Sequence, residues 1–452
     1  VYKRQVLRAV ATSDAYANLV LPPLLAERGI RGRDAAFATE LAYGTLRLRG
    51  RYDAVLSRAS SRPLDRIDPP LLDVLRLGTH QLLGMRVPAH AAVAETVALA
   101  REVTSSGPAQ FANAVLRAVA ARESADWLAL IREDPEPLAT EHSHPAWIVR
   151  ALRESLVGNG RPAGEIGDLL AADNEPPQVN LVARPGLVTA AELSQEAAEA
   201  GLRVAGPGLW APGAIRLAGG DPRALASVRA GLAAVQDEGS QLVALAAARV
   251  AAPGRWLDLC AGPGGKAALL GSELARRAEG GVLVANEPTA HRADLVRRAT
   301  RALPAGSVEI RTEDGREAGR REPGAYDLVL VDAPCTGLGA LRRRPESRWR
   351  RRPEDLTHLT ALQADLLAAA VTATAPGGVV AYTTCSPHLA ETHAVASGVL
   401  RAGGVEALDA PAALRAVATA PLPDLGPGPW AQLWPHRHGV DGMFFALLRR
   451  IG

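Results

Sequence analysis

Two cysteines stand at similar places in the chain. YDLVLVDAPCTGLG (326–339) is an apolar run ending in Asp332, Ala333, Pro334 and Cys335, and VVAYTTCSP (379–387) ends in Thr384, Cys385 and Ser386. A lone cysteine is usually an inert, buried side chain. Two thiols at successive strand ends of one sheet, each followed by a turn, would instead face one crevice. Such a pair suits chemistry at carbon 5 of cytosine, which is a weak nucleophile. A thiolate that adds to carbon 6 turns the ring into an enamine-like species able to attack a methyl sulfonium. A carboxylic acid at N3 assists the addition, and Asp332 is the candidate. A base then removes the carbon 5 proton so that the thiol can leave, and no metal is required. The residues alone leave open whether Cys335 or Cys385 attacks.

A ligand loop precedes both. WLDLCAGPGGK (256–266) is an apolar strand followed by a turn of small residues into a helix. A phosphate-binding P-loop needs a Gly five positions ahead of the Gly of its Gly-Lys pair, where Cys260 stands, and a Ser/Thr where Ala267 stands. The dinucleotide spacing of glycines is absent too. An S-adenosylmethionine loop remains, formed by Cys260, Ala261, Gly262, Pro263, Gly264, Gly265 and Lys266. Glu287 follows the next strand about twenty residues later, where a carboxylate accepts ribose hydroxyls. Asp314, in EDGR, is a candidate for the adenine amino group or a plain turn residue before Gly315. Arg292 either pairs with Glu287 or faces solvent.

These residues need a parallel sheet to bring them together. From about 236 the pattern is strand, glycine turn, helix, repeated, with strands expected at 256–260, 282–286, 308–311, 327–332, 379–384 and 443–448. That alternation predicts an α/β, Rossmann-like domain over 236–452 with ligands beyond the carboxyl ends of its strands. Residues 1–135 read as an all-α domain, with helical spacing over 91–104 and 109–121 and breaks at proline pairs. It carries 18 basic and 14 acidic residues. DPEPLATEHSHP (134–145) reads as a linker. Residues 146–235, with an extended run at 178–182 and an amphipathic helix at 190–200, read as a small α+β module.

Composition narrows the setting. The 452 residues suit two or three domains, and the net charge is only +3. Three distant cysteines, an odd number, speak against a disulfide framework and for a reducing cytoplasm. No signal segment opens the chain, which begins at Val1 without an initiator Met, and no apolar run appears long enough to span a membrane. No clustered His and Cys residues indicate a metal. Arg342–Arg352 holds seven arginines in eleven positions. It is either a solvated surface or a phosphate-contacting loop, with Trp349 stacking on a base or anchoring the loop. Against 49 arginines there are two lysines, Lys3 and Lys266, which hints that Lys266 occupies a place an Arg would not fit.

LDLCAGPGGK, DAPCTGLG and TTCSP, in that order, resemble the Sun/Fmu family of RNA (cytosine-5) methyltransferases over about residues 236–452. The helical region resembles the NusB-like RNA-binding domain of the ribosomal RNA small-subunit methyltransferase B branch. The resemblance implies Cys385 as nucleophile, Cys335 as the residue that helps release product, and Cys260–Lys266, Glu287, Asp314 and Asp332 as the cofactor site. Glu287 stands where Asp is common and Thr336 where Ser is usual. The implied protein is a cytoplasmic, monomeric bacterial enzyme that methylates 16S ribosomal RNA. The rival readings are the same chemistry on transfer RNA, a non-catalytic RNA-binding assembly or antitermination factor, and a small-molecule methyltransferase.

Overall fold

The computed structural model describes residues 2–12, 16–277 and 280–452. The chain divides into two compact units, one of residues 1–150, 166–176 and 341–351, the other of residues 151–165, 177–340 and 352–452.

The first unit is helical. Long helices span Gly32–Arg47, Pro69–Leu83, Ala89–Val103 and Ser106–Ala120. Their apolar residues recur at helical spacing and meet in a core that includes Val55, Val74, Leu75, Leu116 and Val119. Each such fully buried aliphatic contributes roughly 1.5–3 kcal/mol. Gly78 permits a close approach within this core, since a Cβ there would lie 2.7 Å from Leu116 and 2.8 Å from Thr96. The stretch read as a linker is folded into this unit. It carries the helix Pro137–Glu141, and Ser143 and His144 are buried. Its prolines start that helix rather than mark a free tether, because the missing N–H costs nothing at a first turn.

The second unit holds two sheets. The smaller is antiparallel, in the order β2-β3-β1-β4, with β1 Val179–Ala183, β2 Arg203–Pro207, β3 Ala214–Gly219 and β4 Ala233–Val235. Thr189 and Glu192 close a reciprocal cap on the helix Ala190–Glu199 beside it. Of these strands only β1 is legible in the sequence.

The larger sheet has β5 Arg255–Asp258, β6 Val282–Asn286, β7 Val308–Arg311, β8 Tyr326–Asp332, β9 Thr374–Thr384, β10 Val405–Leu408, β11 Ala431–Gln432 and β12 Phe444–Arg450. Its order is β10-β12-β9-β8-β5-β6-β7, with β11 beside β12. Strands β5 to β9 run parallel, and β12 is antiparallel to both its neighbours β9 and β10, so β10 runs in the direction of the parallel strands. Central strands are buried on both faces, as a helix-covered parallel sheet requires. The chain proceeds outward from β5 in both directions, so the crevice beyond β5 and β8 is the topological switch point.

One described helix, Asp355–Ala373, is long and apolar enough, by length and composition, to cross a membrane, although Thr, His, Gln and Asp interrupt its apolar residues. In the fold this helix lies against β8 and β9, with Gln363, Leu366, Leu367, Ala370 and Ala373 buried.

Candidate active site

Residues Cys260–Lys266 lie where β5 gives way to the helix Gly265–Arg277. Ala261 N–H donates to the Asn286 carbonyl at 2.8 Å, which ties the loop to the end of β6. Gly264 has φ +107°, and a Cβ there would lie 2.9 Å from the Val296 backbone. At Gly262 a Cβ would stand 2.1 Å from Glu287 Oε2, so the loop backbone packs directly on that carboxylate. Glu287 is buried at the tip of β6, takes the Thr289 N–H at 3.1 Å and pairs with Arg292 at 3.3 Å. Arg292 also donates to the Gly262 carbonyl at 2.8 Å. Of the two sequence alternatives for Arg292, the pair with Glu287 is the one formed.

Asp314 is exposed and bound by Arg316, which holds its carboxyl below the usual range. It borders a small cavity with Leu259, Asn286 and Gly315, at the ends of β5 and β6. The turn and ligand readings of Asp314 are thus compatible, because its side chain caps the turn while facing this cavity.

Asp332, Cys335 and Cys385 converge at the ends of β8 and β9. The two sulfurs lie 3.4 Å apart, both half-buried. Lys266 Nζ donates to Asp332 Oδ2 at 2.8 Å. Burial works against the Lys266 charge, but Asp332, with Cys385 and Asp258 adding to it, outweighs burial and raises the ammonium pKa. Lys266, in the loop after β5, therefore brings a positive charge to Asp332 and Cys385. A hydrogen bond to Cys385, then burial, then the Glu391 charge hold the Cys335 thiol protonated. Burial and the nearby Asp258 do the same for Cys260, which fits a loop residue and not a nucleophile.

Sequence reasoning passes over four residues. Asp258 is buried at the end of β5; burial, with Asp332 adding and Lys266 opposing, pushes its carboxyl up to about 7. Asn286 Nδ2 donates to the carbonyls of Leu259 and Glu313 and its Oδ1 accepts from Glu313 N–H, so it locks three loops. Both sit inside motifs already singled out, and the signal is a polar residue in an apolar strand. Glu391 and Gln363 carry no such signal; they join the turn of Cys335 to that of Cys385 through contacts between distant residues.

The arginine run divides by position. Arg348 is fully buried in the helical unit and donates to the carbonyls of Arg47, Ser143 and Asp173 and to Asn174 Oδ1. It is occupied inside the protein, so neither the solvated-surface nor the phosphate-contact alternative for the run holds at Arg348. Trp349 anchors the loop: its ring lies where a Cβ on Gly50 would be, and the Arg49 guanidinium sits 5.5 Å from the ring centroid. Arg344 is exposed beside Tyr16.

A parallel sheet with an antiparallel strand beside β9, and a small-residue loop after its central strand, defines the class of Rossmann-like methyltransferase domains. Residues 248–449 match the family model described as 16S rRNA methyltransferase RsmB/F, and residues 3–121 match the NusB family. A Mycobacterium tuberculosis protein provisionally named a methyltransferase is 52% identical over 99% of this chain and 95% of its own length. The ribosomal RNA small subunit methyltransferase B of Pseudomonas putida is 31% identical over 99% and 97%. The solved structure of PH0851 shares the fold with a TM-score of 0.81 at 20% identity, covering 100% of this chain and 97% of that one. The chain belongs to the ribosomal RNA small subunit methyltransferase B family.

Proposed function

We propose that this protein transfers a methyl group from S-adenosylmethionine to carbon 5 of a cytosine in 16S ribosomal RNA through a covalent cysteine adduct. The observation that carries the reading is the pair of sulfurs 3.4 Å apart beside the Lys266–Asp332 ion pair. Loop 260–266, Glu287, Arg292 and Asp314 would hold the cofactor. The tight loop-to-carboxylate packing and the polar groups at the ends of β5 and β6 suit a ligand with ribose hydroxyls and an adenine edge. S-adenosylmethionine, when bound, supplies an electrophilic methyl group.

The protein's own part is to make carbon 5 nucleophilic and then to release it. Cys385 Sγ bonds to carbon 6, favoured as a thiolate by the Lys266 ammonium nearby. N3 takes up a proton from solvent, and the Asp332 carboxylate accepts a hydrogen bond from the resulting N3–H. After methylation water takes the carbon 5 proton, the electrons return to the ring, the carbon 6–sulfur bond breaks and N3 gives its proton back to solvent. Cys335, held protonated, hands its proton to the departing Cys385 sulfur, and exchange between the two thiols restores the starting state. The helical unit and the module 146–235 grip RNA, and the cytosine leaves its stack to reach the thiols. The enzyme acts as a cytoplasmic monomer.

Incubation with labelled S-adenosylmethionine and bacterial 16S RNA, followed by nucleoside digestion, tests the reading. Label in 5-methylcytidine is expected. Label in transfer RNA alone would move the substrate, and label in no RNA despite RNA binding would favour an assembly factor.

A further inference from the structure

Glu391 is fully buried, an expensive place for a carboxylate unless its oxygens are well supplied with donors. Among the described residues every donor it receives is neutral. Oε1 accepts from Thr336 N–H at 2.8 Å and from Gln363 Nε2 at 3.1 Å. Oε2 accepts from the Ser386 hydroxyl at 2.6 Å and from the Thr336 hydroxyl. Gln363 also donates to the Pro334 carbonyl at 2.8 Å. Thr336 directly follows Cys335, and Ser386 directly follows Cys385. A single carboxylate therefore grips the residue after each thiol. Its main-chain carbonyl is fixed in turn by the Tyr382 hydroxyl at 2.6 Å, which anchors the clamp to β9.

We infer that Glu391 is a positioning residue that sets the spacing of the Cys335 and Cys385 thiols and keeps them unlike. The inference rests on the two-thiol reaction proposed above. A negative charge that grips the residue after Cys335 disfavours a thiolate at Cys335, while the Lys266 ammonium interacts with Cys385, which leaves that state to Cys385. A reacting pair held loosely by even about 1 Å loses much of its rate.

Full-length Glu391→Gln keeps the shape and removes the charge. Iodoacetamide alkylation across a pH series, resolved by peptide mass spectrometry, reads each thiol without any methyl transfer. The midpoint for Cys335 should move to lower pH, and turnover should fall by roughly tenfold or more with KM for RNA within about twofold. A Cys335 midpoint and a turnover both equal to wild type would overturn the inference. If wild type traps no adduct on 5-fluorocytosine RNA, the proposed reaction fails, and the alkylation series still decides the role of Glu391. Should Glu391→Gln not fold, Thr336→Val removes one donor with the carboxylate intact. Turnover should then drop at unchanged KM and recover in Thr336→Ser. Wild-type turnover in Thr336→Val would overturn the clamp.

Discussion

At the scale of single residues, the site is a balance of charges around two thiols. Lys266 stands between Asp332, with which it hydrogen-bonds, and the buried Asp258. An arginine would present a wide planar fork where a compact ammonium fits, which accounts for a lysine here in a chain with 49 arginines and two lysines. Asp258 carries a pH signature. Its folded pKa of about 7 lies above the usual value of 3.8, so the folded state favours the protonated carboxyl. That contribution is full below the unfolded pKa and is lost as pH rises through about 7. Asp258→Asn should therefore gain in Tm relative to wild type as pH is raised from about 5 to about 9. A Tm difference that stays constant across that range would contradict the assignment of a buried, proton-accepting carboxyl.

At the scale of elements, the sequence is most readable where one period runs unbroken. Strands β5 to β9 and β12 are visible because each is a short apolar run bounded by glycine, proline or acidic residues. The expected ends differ from the observed ones by a few residues, most at β9, where Thr374–Gly378 extends the strand through a register shift. β10, β11 and most of the small sheet are not visible. β10 and β11 have two to four residues, and β2 carries glycine and proline, so their pairing is set by partners rather than by their own composition. The loop residues of the candidate site are legible because small residues, Pro-Cys and Thr-Cys-Ser stand at strand ends. Glu391 is not: it lies 55 residues from Thr336, and its neighbours in sequence are unremarkable for a helix entrance. Asn286 escapes notice because a strand-end polar residue reads as a surface group until the three loops it joins are known.

At the scale of the whole molecule, the arginine run belongs to the helical unit although it follows a catalytic-type motif in sequence. Its members do different jobs. Burial pushes the Arg348 guanidinium down to about 10, still charged at neutral pH, and four oxygens accept from its two terminal nitrogens. Arg348→Met would leave several buried acceptors without a donor, at a cost of about 2–5 kcal/mol in unfolding free energy. The change Arg344→Gln should barely alter stability, since Arg344 is exposed. If this side chain meets phosphate, the change should lower the slope of log affinity against log salt by roughly 0.7–0.9 for the phosphate no longer neutralised. An unchanged slope would assign Arg344 to a solvated surface. A stable Arg348→Met protein would contradict the anchoring role.

The covalent step is most directly tested by comparing Cys385→Ala and Cys335→Ala in methyl transfer from labelled S-adenosylmethionine to 16S RNA, with denaturing gels to detect protein bound to RNA. Cys385→Ala should be inactive and form no adduct, and Cys335→Ala should accumulate a covalent protein–RNA adduct because release is impaired. Exchange of those two behaviours would make Cys335 the nucleophile, and full activity in Cys385→Ala would contradict the two-thiol mechanism altogether.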